Sequence, residues 1–219
     1  MFESGQVHNG PADPKAITIA TCGTYDAMAV EYADVTDDYA KFPGLRDEAL
    51  AFEKMLPLGL PVLDLGCGGG RDSRLLADLG RQIVAADFGM SMLQCARSRS
   101  SGQARDLHFV RLDMLELPFP ANRFGGVWAS GSLLHLPSTA IVSALSEIFR
   151  TLAPGGVAAI SMRAGAGEGW RVGGTLAGRR WFTLVDPGDF TSQMKRIGFR
   201  HIRIRNTGRK DWFVAIGEK

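Results

Sequence analysis

The sequence predicts an α/β fold built on a mostly parallel sheet with helices on both faces. Three observations predict it. From residue 62 onward short apolar runs alternate with helical segments. The first run, Val62-Leu63-Asp64-Leu65, passes into Gly66-Cys67-Gly68-Gly69-Gly70, and the next two end on the acids Asp87 and Asp113. In such a sheet ligands bind beyond the C-terminal strand ends, so the glycines and both acids are expected along one crevice.

Residues 1 to about 15, with Gly5, Gly10, Pro11 and Pro14, are expected as a mobile lead-in. The rest, 16–219, reads as one domain, since 219 residues at 45% hydrophobic supply one substantial core and no Pro/Ser-rich linker divides them. Helices are expected over Tyr25 to Tyr39 and Leu45 to Leu56, the first strand over 62–65, and a helix over 72–79 opened by Asp72-Ser73. Strand 82–86, helix 90–99, strand 107–112, strand 126–130, helix 138–152 and strand 157–162 continue the alternation. Ala164 to Arg180 is long, glycine-rich and without a period, which reads as a loop. Helix 188–197 and strands 201–205 and 212–216 follow, and Ile202 and Ile204 alternating with Arg203 and Arg205 give the period of a half-buried strand. Asn206 to Asp211 is too short for a helical crossover, so the last two strands should pair antiparallel.

Composition narrows the partners. Twenty-five basic against 23 acidic residues, a net charge of +2, gives no electrostatic case for nucleic acid or a membrane surface, and the cluster Arg200, Arg203, Arg205, Arg209 and Lys210 lacks interleaved aromatics. Cys22, Cys67 and Cys95 are odd in number and widely spaced, which indicates neither a disulfide framework nor a zinc site, and no metal is expected. Without a secretory leader or an apolar run of the ~20 residues that span a bilayer, a cytoplasmic monomer or homodimer is expected.

The glycine spacing bears on the ligand. A dinucleotide fingerprint, Gly-x-Gly-x-x-Gly/Ala, wants a small residue where Arg71 stands; counting from Gly68 instead puts Ser73 there, and no Lys-Ser/Thr pair follows to make a phosphate loop. The pattern present is Asp-x-Gly-x-Gly-x-Gly. Asp64 would repel a pyrophosphate but suits a ligand with an ammonium group and a cationic centre. Asp87 is placed to accept both hydroxyls of a ribose, and Asp113 to meet an exocyclic amino donor such as that of adenine.

With these residues the chain resembles the class I S-adenosylmethionine-dependent methyltransferases, in particular the small-molecule enzymes similar to those of ubiquinone and menaquinone biosynthesis. Asp64 to Gly70 resembles the first family motif, Asp87-Phe88-Gly89-Met90-Ser91-Met92-Leu93 the acidic second, and Asp113-Met114 falls at the adenine-contacting position. Trp128 to Pro137 and Leu152-Ala153-Pro154-Gly155-Gly156 complete the series. The resemblance implies a Rossmann-like, doubly wound sheet of seven strands in the order 3-2-1-4-5-7-6, with the last strand antiparallel and lid helices over about 24–56. It implies S-adenosylmethionine as cofactor, S-adenosylhomocysteine as product and a small-molecule methyl acceptor. Cofactor contacts would come from Tyr25, Tyr32, Asp64, Gly66, Cys67, Gly68, Arg71, Asp87, Phe88, Met92, Asp113, Met114, Ser130 and Gly131. Asp87 would hold the ribose, Asp113 the adenine amino group, and Asp64 with the glycine loop would face the methionine end. One departure is Gly125, where the family usually has Asp.

Methyl transfer from a sulfonium chiefly requires alignment and exclusion of water, and a base is needed only if the acceptor must lose a proton. His135, just past the fourth strand, is the candidate base, with a structural role as the competing reading. The 163–181 segment holds Arg163, Trp170, Arg179, Arg180 and Trp181, suited to closing over an acceptor and gripping a carboxylate or phosphate. Tyr25 and Tyr32, seven apart, would share one helical face. The same loop would serve transfer of another group from the cofactor, its cyclisation, or a non-catalytic binding subunit. A nicotinamide oxidoreductase is disfavoured by Arg71.

Overall fold

A computed structural model describes residues 13–100, 106–174, 176–206 and 208–219. Helix α1 (Pro14–Ala27) starts where Pro14 supplies a helical φ and the Asp13 side chain accepts from Lys15 N at 3.0 Å. Of the expected lead-in, residues 1–12 lie outside those described, and Asp13 to Lys15 form the cap and first turn of this helix. The single helix expected over Tyr25 to Tyr39 is broken at Met28, φ −120°, into the end of α1 and α2 (Ala29–Thr36), with a 3-10 turn at Tyr39–Lys41. Helix α3 (Leu45–Glu53) ends before the expected Leu56.

The alternation then follows: β1 (Val62–Leu65), α4 (Arg71–Asp78), β2 (Ile83–Asp87), α5 (Met90–Arg99), β3 (Leu107–Arg111) and β4 (Phe124–Ser130). After a 3-10 turn at Leu133–His135 come α6 (Ser138–Thr151), β5 (Leu152–Arg163), β6 (Glu168–Gly173), β7 (Leu176–Thr183), α7 (Pro187–Ile197), β8 (Arg200–Asn206) and β9 (Trp212–Glu218). The main sheet has the order β3-β2-β1-β4-β5-β9-β8. Its first five strands run parallel, and β9 is antiparallel to both neighbours. With the inserted β6–β7 pair set aside, this is the order the resemblance implied.

The insertion corrects one expectation. The 163–181 segment is largely a two-stranded antiparallel hairpin, with Trp170 opposite Trp181 and Arg171 opposite Arg180. Gly169, Gly173 and Gly174 at positive φ interrupt its alternation, which is why the residues gave no strand period. Glu168 fastens the hairpin to α6 by accepting from Ser138 Oγ at 3.0 Å.

The sheet buries alternate residues on opposite faces, as the two-residue period of strands requires. Leu63, Leu65, Val127 and Ile160 pack with Ile141, Leu145 and Ile148 of α6, while Val62, Ile83 and Trp128 pack with Phe52 and Leu76 on the other face. Close packing also accounts for Gly125 and Gly126. A Cβ at Gly126 would lie 2.5 Å from Leu56 Cδ2 and 2.8 Å from Phe52 Cζ, and one at Gly125 2.9 Å from Leu60 Cβ. The α3 end and the turn after it thus occupy the space a longer side chain would need.

Candidate functional site

The loop after β1 keeps its shape through glycine. Gly66, Gly68 and Gly70 have φ of 81°, 53° and 79°. Gly66 N and Cys67 N both donate to Ala86 O, and Ser132 Oγ donates to Leu65 O at 2.7 Å, drawing the end of β4 onto the loop. A Cβ at Gly66 would stand 2.3 Å from Ser132 Cβ. At Gly68 the nearest atom to such a Cβ is Tyr32 Cε1, at 3.4 Å.

Asp87 ends β2 with its carboxylate turned to this loop: Oδ2 accepts from Gly68 N at 2.9 Å and Oδ1 from Gly89 N at 2.8 Å. Burial pushes its carboxyl above the usual range, against the pull of those two bonds. Each oxygen retains acceptor capacity for one more donor. The first cavity opens beside it, walled by Phe88, Met92, Asp113 and Met114 and roofed by Thr18, Cys22 and Tyr25 of α1. Asp26 joins roof to floor, its Oδ1 accepting from Ser91 N at the start of α5 at 2.9 Å.

A second cavity lies past the loop, and its lining includes Asp64, Cys67, Arg71 and Asp72 together with Arg163, Arg180, Phe182, Arg209 and Trp212. Asp64 is 2% exposed and accepts from Ser73 Oγ; burial, with the nearby Asp72 charge adding to it, pushes its carboxyl up to about 8. Asp72 behaves oppositely. Burial works against its charge, but Arg71 Nε at 2.8 Å, Trp128 Nε1 at 2.9 Å and Tyr39 OH at 2.8 Å hold it below the usual range. Arg71, expected among cofactor contacts, is therefore a cavity wall already engaged with Asp72 and Thr36 O, stacked over Tyr39 and Phe42.

The two cavities share Tyr25, Tyr32, Gly66, Gly68, Ser130, Gly131 and His135. The tyrosines sit on two helices rather than one face of a single helix, yet their rings meet edge-on at 5.0 Å. Tyr25 OH donates to His135 Nε2 at 2.8 Å, and His135 Nδ1 lies 2.6 Å from Trp181 O. A carbonyl only accepts, so Nδ1 carries the proton and Nε2 is the acceptor. Burial pushes the imidazole down to about 4 and the Arg180 charge adds to this. His135, expected as a candidate base or a structural residue, thus has both ring nitrogens engaged.

Of the residues expected on the acceptor side, Arg163 and Arg180 line the second cavity. The other three build the hairpin instead. Arg179 stacks over the Trp170 ring at 4.7 Å, Trp170 packs edge-on against Trp181, and buried Trp181 donates from Nε1 to Thr183 Oγ1. Sequence reasoning missed Trp212, Phe182, Thr18 and Thr21, and counted Arg209 with a solvated cluster. Arg209 in fact stacks 4.5 Å over Trp212 and reaches Glu48 Oε2 at 3.3 Å. The pairing of Arg209 with an aromatic three residues on was the available signal.

Residues 62–156 match the family model of a methyltransferase domain. The 2-phytyl-1,4-naphtoquinone methyltransferase of Thermosynechococcus vestitus is 41% identical over 108 residues, 48% of this chain and 47% of that protein. The chain spans less than half the length of the curated relatives it matches. Among solved structures, the 1,6-didemethyltoxoflavin-N1-methyltransferase of Burkholderia thailandensis superposes with a TM-score of 0.76 at 20% identity, over 97% of this chain and 93% of that one. The [4+2]-cyclase SpnF does so with a TM-score of 0.73 at 18% identity, over 95% and 97%. The segment 62–156 thus matches a methyltransferase domain, set in a chain with the fold of these neighbours.

Proposed function

We propose that this methyltransferase domain transfers a methyl group from S-adenosylmethionine to an oxygen, nitrogen or sulfur nucleophile of a small metabolite. The observation that carries the reading is the half-buried Asp87 carboxylate, fixed by Gly68 N and Gly89 N with acceptor capacity left over, beside a cavity that shares its wall with a second one past the glycine loop. The residues fit the cofactor's chemistry. Asp87 suits the ribose hydroxyls, Asp113 the adenine amino group between Phe88, Met92 and Met114, and Asp64 an ammonium whose charge would offset the cost of burying its own. When bound, the cofactor supplies an activated methyl on a cationic sulfur.

In this reading the residues common to both cavities surround the reacting atoms. Tyr25 and Tyr32 exclude water, and Gly131, whose missing side chain lets the Trp212 ring come close, forms part of the same wall. His135 acts as a positioning residue, holding the Tyr25 ring by accepting its hydroxyl proton while anchored to Trp181 O. The matched relatives named as methyltransferases support the activity, and the cyclase of like fold is the reason to measure the reaction itself.

The test is incubation with S-adenosylmethionine and a metabolite extract, read by mass spectrometry. A metabolite gained by one methylene unit together with S-adenosylhomocysteine is the expected result. Methylthioadenosine as product would mean transfer of another group, and binding without consumption a non-catalytic or cyclase role.

A further inference from the structure

We propose that the second cavity selects an anionic acceptor, a small molecule whose carboxylate or phosphate is bound by the Arg180 guanidinium while its flat apolar body lies against Trp212 and Phe182. This rests on the methyltransferase reading above and names the substrate class of the same site.

Arg180 is 3% exposed, yet it lines the cavity. β7 and the hairpin turn pin it: Nη2 donates to Gly173 O and to Leu176 O at 3.1 Å, Nε to Gly178 O at 3.4 Å, and Nη1 to Tyr25 OH at 3.3 Å. Every one of these partners is neutral. None of its bonds among the described residues goes to a carboxylate. A guanidinium taken out of water and solvated only by dipoles is stabilised strongly by an anion placed against it.

The neighbouring charges do not supply that anion. Asp72 is occupied by Arg71 and Glu48 by Arg209, and Asp64 is bonded to Ser73. Arg163 adds a further positive group to the wall, with Asp211 near it. Arg180 therefore stands in the cavity wall with only neutral hydrogen-bond partners among the described residues. The walls there are flat: the Trp212 ring lies 3.3 Å from where a Cβ on Gly131 would be, and the Phe182 ring centre is 5.4 Å from Arg180 Cζ. A rigid guanidinium between aromatic faces suits a planar anion better than an amine or a neutral amide.

The cofactor's own carboxylate is the other anion the reading brings in, and the test separates the two. Protein saturated with S-adenosylhomocysteine is titrated with benzoate, phenyl phosphate, benzamide and benzylamine, followed by thermal shift and calorimetry. Benzoate or phenyl phosphate should stabilise further, and benzamide and benzylamine should not. Arg180→Gln should weaken the anions by about tenfold or more while the affinity for S-adenosylhomocysteine stays within about threefold. The proposal is overturned if the neutral or cationic probe matches the anions, if no anion binds, or if Arg180→Gln binds them as wild type does. A selective loss of S-adenosylhomocysteine in Arg180→Gln would assign the guanidinium to the cofactor and also overturn it. Failure of wild type to bind S-adenosylhomocysteine would instead remove the methyltransferase reading, and the acceptor proposal with it.

Discussion

Asp64 gives the sharpest test of how the cofactor would be held, because its protonation state should change on binding. With its carboxyl pushed up to about 8 by burial, Asp64 is roughly nine-tenths protonated at pH 7 in the free protein. An ammonium set against it would return it to the ordinary carboxylate range, where it is almost fully ionised at that pH. Binding of S-adenosylhomocysteine at pH 7 should therefore release roughly 0.9 proton. Ionising the group costs about 1.4 kcal/mol per pH unit below 8, so affinity should rise close to tenfold per unit between about pH 6 and 7.5. Above that window Asp64 is increasingly ionised in the free protein as well, and the dependence levels off.

Calorimetry in two buffers of different ionisation enthalpy at pH 7 reads the proton directly. Asp64→Asn, permanently neutral, should release none and bind with little pH dependence. Asp87 is the control, since its carboxyl is also raised by burial; release that survives in Asp64→Asn would belong there and would refute the ammonium assignment. The stability sign is fixed as well. A carboxyl raised in the folded state contributes stability that is fully present below its unfolded value of about 3.9 and is lost as pH rises through about 8. Free Asp64→Asn should thus gain on wild type across that range.

Asp87→Ala, followed by titration calorimetry, should lose about 2–4 kcal/mol of S-adenosylhomocysteine binding, since the ribose contacts and the brace on Gly68 N go together; unchanged affinity in a folded variant would remove the ribose assignment. Gly66→Ala combines a φ of 81° with a Cβ 2.3 Å from Ser132 Cβ, whereas Gly80→Ala has nearly the same φ, 83°, and open space. Thermal melts should show Gly80→Ala costing about 1–2 kcal/mol and Gly66→Ala more, with ligand stabilisation lost only in the latter. The His135 imidazole should show no NMR midpoint between about pH 5.5 and 8, and its contribution to stability, fully present above about 6.5, should fade as pH falls through about 4; a midpoint near neutrality would restore it as a base.

The parallel core was legible because its signals are local. A glycine run that needs positive φ, an acid closing each strand and a periodic alternation all lie within a few residues of one another, and Asp64, Asp87 and Asp113 come to one crevice as the alternation requires. The acceptor side was not legible for the opposite reason. The β6–β7 pair is stabilised by distant partners, Glu168 to Ser138 and Thr24 Oγ1 to Arg179 O, and its own glycines erase the strand period. α1 was hidden in the same way: Thr18, Thr21, Gly23 and Thr24 are modest helix formers, and what holds them helical is a cap and a tertiary seat. For His135 the sequence offered no sign of its partners, since only the structure brings Tyr25 and Trp181 O onto its two nitrogens.

That seat links the two halves of the site. α1 roofs the first cavity and also clasps β7, through Thr24 Oγ1 to Arg179 O at 2.7 Å, Trp181 N to Thr21 Oγ1 at 3.2 Å and the Tyr25 bonds to His135 and Arg180. Gly178 permits the approach, for a Cβ there would lie 2.2 Å from Thr24 Cγ2. Lifting the roof would break these bonds together, at about 0.5–1.5 kcal/mol each. A ligand that engages Arg180 strengthens one strand of the clasp, and a ligand under Tyr25 strengthens the other. Filling either cavity would therefore favour the closed arrangement that the other needs, though only weakly, since Arg180 reaches the roof through its one bond to Tyr25.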